Sequence, residues 1–424
     1  MRNAWRVDEI RKKLLFMLFI VLLYRLGNAV TVPYVDTAML REQFAQLNNT
    51  ILGLMNTMSG SALERASIFA LSIQPYINAS IIIQLLTVAI PALERLQKDG
   101  GEEGKKKLEK ITRYSTIAIA ILQGYGYYVL INNYGVLDPS ATGLWPPLVI
   151  IATFVAGSAL LMWMCEQITE FGIGNGISVI LFVSIVSRFP SQVIGMIQNT
   201  LASPSNWWIY ILMLLGALAI IVLIVVVTNA ERRIPVQYSK RVVGRKMYGG
   251  QSTHLPMKVN MSGVLPVIFA QSIASIPATI GAFAGWGNDH WLMKIFDTNS
   301  LLYAGLYFLL IVFFSYFYST VQFNPIEISN NLKKNGGFIP GFRAGKPTSE
   351  FIQRVLTKIT LFGAMYLAII AITPILISYF SETARDSSIS LGGTSVIIVV
   401  SVALETIKQL ESQLLMRHYK GFLE

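Results

Sequence analysis

The chain has 424 residues, of which 53% are hydrophobic and only 13% charged, about half the charged share that a water-soluble domain uses to dress its surface. Apolar runs of about 20 residues, the length that crosses a bilayer core, recur from end to end and exclude a soluble globular protein. Their continuity excludes a membrane β-barrel, whose strands alternate.

The first run, near 14–34, follows a basic N-terminus. No small-residue cleavage site comes after it, so it reads as a span and not as a removed signal. Gly53–Ser67, "GLMNTMSGSALERAS", is small, weakly apolar and too short to cross. It reads either as an outer loop or as a re-entrant piece, which is tolerated only inside protein or a wet cavity. The second span, 68–90, contains "SIQPYINASIIIQLL" (72–86), in which two glutamines, an asparagine, two serines and Pro75 interrupt an apolar helix. Each buried polar group there needs a partner, and an interior proline leaves a carbonyl without its helical donor.

Further spans lie near 112–131, 147–165, 174–198, 207–228, 261–283, 301–323, 356–380 and 391–410. Two connections, 229–260 and 324–355, are far longer than connectors need to be. In the first, "RRIPVQYSKRVVG" alternates basic and β-branched residues and predicts a hairpin. Each long loop reads as a basic segment near anionic lipid or as a docking surface for a soluble partner.

The ten spans divide near 203–206 into halves 1–203 and 204–424. Five spans per half make the second half start on the opposite side, the parity of an inverted repeat. Of the 34 lysines and arginines, 28 fall on one side of the membrane if the N-terminus is inside. By the positive-inside rule both termini are cytoplasmic. The net charge of +11 is then mainly a topology signal and not a nucleic-acid signature.

Catalytic chemistry is absent from the pattern. His254, His290 and His418 lie outside the spans with no cysteine or carboxylate at metal-ligand spacing, and Cys165 is the single cysteine. No phosphate-binding loop occurs. "GIGNGIS" (172–178) follows a membrane helix instead of a strand, so it reads as a tightly packed glycine entry to a span. Glu166 and Glu170 read as interfacial carboxylates reaching water. Arg25 is the clear ionisable residue inside a span, with no acidic partner in view. Uncharged polar residues are commoner, and a helix rich in them suits a seam that opens.

Six stretches together, "SIFALSIQPYINASIIIQLLT", "RYSTIAIAILQG", "EQITEFGIGNGIS", "KVNMSGVLPVIFA", "GGFIPGFRAGKPT" and "LGGTSVIIVV", resemble the bacterial SecY family, over nearly the whole chain and in order. The resemblance implies an all-α polytopic membrane protein, two inverted five-helix halves around an hourglass pore. It implies a plug within 53–67, comprising Asn56, Thr57, Met58, Ser59, Gly60, Ser61, Ala62, Leu63 and Glu64. It also implies an aliphatic ring drawn from Ile73, Ile77, Ile177, Leu181, Ile268 and Ile398. The pairs 73/77 and 177/181 are spaced i, i+4, so each shares a helix face; Ile177 owes its place to the resemblance alone.

The family's lateral gate would use Asn78, Gln84, Gln123, Gln271 and Ser272, with Pro75 loosening the helix between plug and gate. Docking of a ribosome or of the SecA motor would fall to Arg232, Arg233, Lys240, Arg241, Arg245 and Lys246 in the first long loop. Lys333, Lys334, Arg343 and Lys346 would serve in the second. SecE and SecG subunits, secretory preproteins with their signal sequences, and membrane lipids complete the implied partners; no cofactor and no catalytic residue are implied, and the motor would supply the energy. The competing reading is a secondary transporter of a small solute, which would need a solute site and a coupling-ion site. A pore-free membrane scaffold would leave the 53–67 segment unexplained.

Overall fold

A computed structural model describes the chain except residues 1–4, 6, 47–49, 99, 140–142, 203–206, 239–240, 244–245, 249–251, 287–289, 298–299, 381–392 and 421–424. The helices are α1 Asp8–Gly27, α2 Thr37–Gln46, α3 Ile51–Met58, α4 Gln74–Ala89, α5 Pro91–Lys98, α6 Gly101–Asn133, α7 Trp145–Phe171, α8 Gly176–Ala202 and α9 Trp207–Asn229. They continue after the first long loop with α10 Leu265–Phe283, α11 Trp291–Ile295, α12 Leu301–Gln322, α13 Pro325–Lys334, α14 Lys346–Phe380 and α15 Gly393–Lys420. Every expected span overlaps one helix, and the protein is an all-α polytopic membrane protein. Among the described residues five helices are by themselves long and apolar enough to cross, and six if α4 and α5, bent by 101°, count as one. Of the helices that fall short, α1 carries charge at its basic start and at Arg25 and α15 carries Glu405 and Lys408, whereas α9 and α10 count as shorter apolar helices over Leu214–Asn229 and Leu265–Gly281.

Boundaries moved where turn chemistry overrode hydropathy. The second helix begins at Gln74 and not near 68, and Pro75 sits in its first turn. A missing N–H costs nothing there, so Pro75 starts this helix and does not loosen it. α14 begins at Lys346, ten residues before the apolar run, with Thr348 Oγ1 donating to Arg343 O at 2.7 Å across the entry. α13 is started by Asn324, whose Oδ1 accepts from Ile326 N at 3.1 Å, followed by Pro325.

The expected hairpin exists and is larger than read. β1 (Glu231–Tyr238) pairs antiparallel with β4 (Ser252–Lys258), from Glu231 opposite Lys258 to Gln237 opposite Ser252. Between them β2 (Arg241–Val243) and β3 (Lys246–Tyr248) form their own short hairpin. The other edge of β1 takes β5 (Gly337–Phe338), with Gln237 opposite Phe338. The two long loops therefore share one sheet, over a small core of Ile234, Val236, Met257, Ile339, Ile352 and Leu356.

Helices α4, α6 and α7 pack in series, as do α10, α12 and α14. The two groups meet where α10 lies against α4 and α6, and α8 bridges to α15. The largest apolar cluster runs through this meeting line.

Candidate functional site

The expected ring residues come together. Ile73, Ile77, Leu181, Ile268 and Ile398 are each no more than 2% exposed and belong to one cluster, with Ile177 half-buried against it. They arrive from four helices and from the residue preceding α4: Ile77 from α4, Leu181 from α8, Ile268 from α10 and Ile398 from α15.

The segment after α3 is neither an exposed loop nor a span. Met58, Ala62, Leu63 and Ala66 are buried, and Asn56 and Ser59 are buried with them. Backbone turns fold it tightly, with Gly60 at φ +68°, Ser61 at +68°, Ala66 at +44° and Ser72 at +52°. Positive φ at three non-glycine residues within so short a stretch is uncommon and persists only where surrounding contacts impose it. Those contacts are specific. Asn56 Nδ2 donates to Glu64 Oε2 at 2.6 Å while its Oδ1 accepts from Glu64 N at 3.1 Å. Tyr127 donates to Leu63 O. Arg188 Nη1 donates to Thr57 Oγ1 at 2.6 Å, and Tyr24 Oη meets Ser59 O at 3.2 Å and Ser184 Oγ at 2.6 Å. Tyr24, Tyr127 and Arg188 were invisible in the sequence as site residues, because each meets the segment across at least 35 positions of chain.

On the other side of the ring lies a cavity of about 350 Å³, lined among others by Ser178, Thr228, Val264, Gln322, Ser401 and Glu405. The order along single helices is telling. On α8, Ser178 lines the cavity, Leu181 joins the ring and Ser184 touches Tyr24 beside the buried segment; each step is about 4.5 Å along the axis. Along the α10 stretch, Val264 lines the cavity, Ile268 joins the ring and Gln271 reaches Met58 of the buried segment. α15 carries the sequence reversed, Ile398 in the ring and then Ser401 and Glu405 at the cavity. A polar cavity, a buried aliphatic cluster and a packed segment thus follow one another in that order along α8 and along the stretch through α10.

The expected gate residues lie on α4, α6 and α10, which pack together. Asn78, Gln271 and Ser272 are buried, and Gln123 is half-buried on α6. Among the described residues no hydrogen bond joins Asn78, Gln123, Gln271 and Ser272 to one another; Asn78 Oδ1, Gln271 Oε1 and Ser272 Oγ have no partner. Gln84 does cross: its Oε1 accepts from Tyr318 of α12, and its Nε2 donates to Ser80 Oγ at 3.4 Å. Tyr318 was not foreseen, since nothing in an apolar aromatic run marks one tyrosine as a bridge.

Of the basic residues, Arg232, Arg233, Lys333, Lys334, Arg343 and Lys346 are exposed. Arg233 Nε reaches Glu231 Oε1 at 2.7 Å. Arg241 and Lys246 lie on β2 and β3, while Lys240 and Arg245 fall outside the described residues. Glu166, expected to reach water, accepts from Arg113 Nε at 2.8 Å and so joins α6 to α7.

A family model described as SecY matches residues 67–407. The chain belongs to the SecY family. A relative from Streptomyces scabiei, named protein translocase subunit SecY, is 44% identical over 99% of this chain and 98% of its own length. Among solved structures, one described as the structure of a protein conducting channel matches with TM-score 0.67 at 18% identity, over 95% of this chain and 92% of that one. Sec61 in a canine ribosome–channel complex matches with TM-score 0.64 at 17% identity, over the same shares.

Proposed function

We propose that the chain is the channel subunit of a protein translocase, passing unfolded secretory polypeptides across the plasma membrane and releasing apolar helices sideways into lipid. The observation that carries this reading is the order of cavity, aliphatic ring and packed segment, found on α8 and on the stretch leading through α10, with ring and cavity following each other on α15. The cavity is the inner mouth, the ring is the gasket and residues 53–67 are the plug. Residues 1–203 and 204–424 are the two halves, hinged at α8–α9 and parting between α4 and α10. Both termini are cytoplasmic.

An aliphatic ring suits this task physically. Branched apolar side chains exclude water by dewetting, which seals the idle pore to ions without a charge that would select among passing residues. A signal sequence entering between α4, α10 and α12 replaces the Gln84–Tyr318 bond and neighbouring contacts, and so shifts the closed–open equilibrium. The sheet joining the two long loops, with Arg343 beside it, is the docking face for the SecA motor or a ribosome, which supplies the energy; SecE and SecG bind alongside. The solute-transporter reading has less behind it, because the cavity's charged lining residues lie away from mid-span, Lys258 at the end of β4 and Glu405 and Lys408 toward the inner end of the 391–410 span.

The test is a photocrosslink from a stalled secretory chain. A probe at its mid-point should react with Ile77, Leu181, Ile268 and Ile398 together. Crosslinks confined to the cavity lining, with none to the ring, would overturn the reading.

A further inference from the structure

Met55 and Met58 stand three apart on α3, so they share one face of that helix. Met58 is 2% exposed, and its Sδ accepts from two side-chain amides: Gln271 Nε2 at 3.2 Å and Gln74 Nε2 at 3.7 Å. Thr279 Oγ1 lies 3.6 Å from Met55 Sδ, but its single proton is also offered to Ser275 O at 2.7 Å, so Met58 is the principal link. Gln74 opens α4, and Gln271 and Thr279 belong to α10. One sulfur is thus held from both walls of the seam.

The choice of atom matters. A thioether is a weak acceptor on a flexible, polarisable side chain. It directs two glutamines toward the plug yet gives them up at small cost. A carboxylate in its place would hold them too firmly to open, and a leucine would leave both amides without an acceptor. Gln271 Oε1 is itself buried without a partner, so the bond from Nε2 to Met58 is this side chain's one tie among the described residues.

We propose that Met58 is a positioning residue that couples seating of the plug to closure of the seam. When α4 and α10 separate, no single sulfur can keep both amides, and the plug is released. When the plug leaves, the two helices lose their shared acceptor and part more readily. This rests on reading residues 53–67 as the plug and α4 and α10 as gate walls. Linkage makes the coupling reciprocal: whatever loosens the plug must sharpen the response to a signal sequence by the same factor.

The experiment uses the channel reconstituted with its partner subunits in planar bilayers. Idle open probability is recorded, together with the concentration of a synthetic signal peptide that half-opens the channel. Met58→Leu keeps size and apolarity and removes the acceptor. It should raise idle open probability about three- to tenfold, the scale of one or two weak hydrogen bonds, and lower the half-opening concentration by the same factor. Gln271→Leu should do likewise. The double variant should not exceed Met58→Leu, because losing the sulfur already removes the bond to Gln271. Met58→Gln, which restores an acceptor, should seal at least as well as the parent, and guards against a folding defect at this position. Ala62→Trp, at a buried plug position with 0% exposure, is the control that must leak. If Ala62→Trp leaks while Met58→Leu matches the parent, or the single effects multiply in the double variant, the clasp is overturned and the plug reading stands. If Ala62→Trp stays sealed, the plug reading falls and the clasp with it.

Discussion

Removing one oxygen atom should loosen the plug. Tyr24 is fully buried, its ring stacked on Phe69 at 5.7 Å between centroids, and its hydroxyl contacts Ser59 O of the plug and Ser184 Oγ of α8. Ser184 Oγ in turn lies 2.8 Å from Ile180 O. Two hydroxyl protons serve these three contacts, so the Tyr24–Ser59 bond competes for its proton. Tyr24→Phe keeps the stacked ring and deletes the bond to the plug. When the plug moves out, Ser59 O gains water in both proteins, so the change in plug equilibrium is the net worth of that bond, about 0.5–1.5 kcal/mol. At about 0.59 kcal/mol for RT, that is about a two- to thirteenfold rise in idle open probability. Ser184→Ala should act oppositely or not at all, because it leaves the Tyr24 proton to Ser59 alone. The assay is single-channel recording of the reconstituted, unoccupied channel. Equal open probability in Tyr24→Phe and the parent, or a rise in Ser184→Ala matching that of Tyr24→Phe, would refute the reasoning.

Polar substitution of the ring should wet it: Ile77→Asn or Ile268→Asn lets ions leak and relaxes the demand for a strong signal sequence, and unchanged conductance in both would count against their place in the gasket. A Cβ at Gly157 would stand 1.9 Å from Ile68 O, so Gly157→Ala forces α7 away from the segment leading into α4; it should cost about 1–3 kcal/mol, read as a lower melting point in detergent. Arg343 is exposed, while its own carbonyl is held by Thr348 and the neighbouring Phe342 stacks on Phe351 at 4.2 Å. Arg343→Glu should therefore leave insertion and folding intact but abolish SecA-driven translocation into vesicles, with Lys rescuing only in part because it lacks the planar fork; wild-type transport by the Glu variant would sink that assignment.

What the amino-acid sequence determined by itself was whatever depends on local composition. A run of apolar residues must leave water wherever the rest of the chain goes, so a helix at each of the ten expected spans was legible. The hairpin in the first long loop was legible from its alternation. The i, i+4 pair Ile177/Leu181 was legible as a helix face, whereas Ile73 precedes the helix that carries Ile77; their assignment to a ring came from resemblance and not from spacing. Tertiary structure decided the rest. Pro75 became a helix start because the plug's turns, and not hydropathy, end the chain's approach at Gln74. Gln84 found Tyr318 and Gln271 found Met58, partners 234 and 213 positions away, and β5 joined the two long loops at β1. In a membrane bundle, lipid and protein neighbours are equally apolar, so burial does not sort one face of a helix from another as water does for a soluble helix. Which polar group meets which is settled only when the helices have packed.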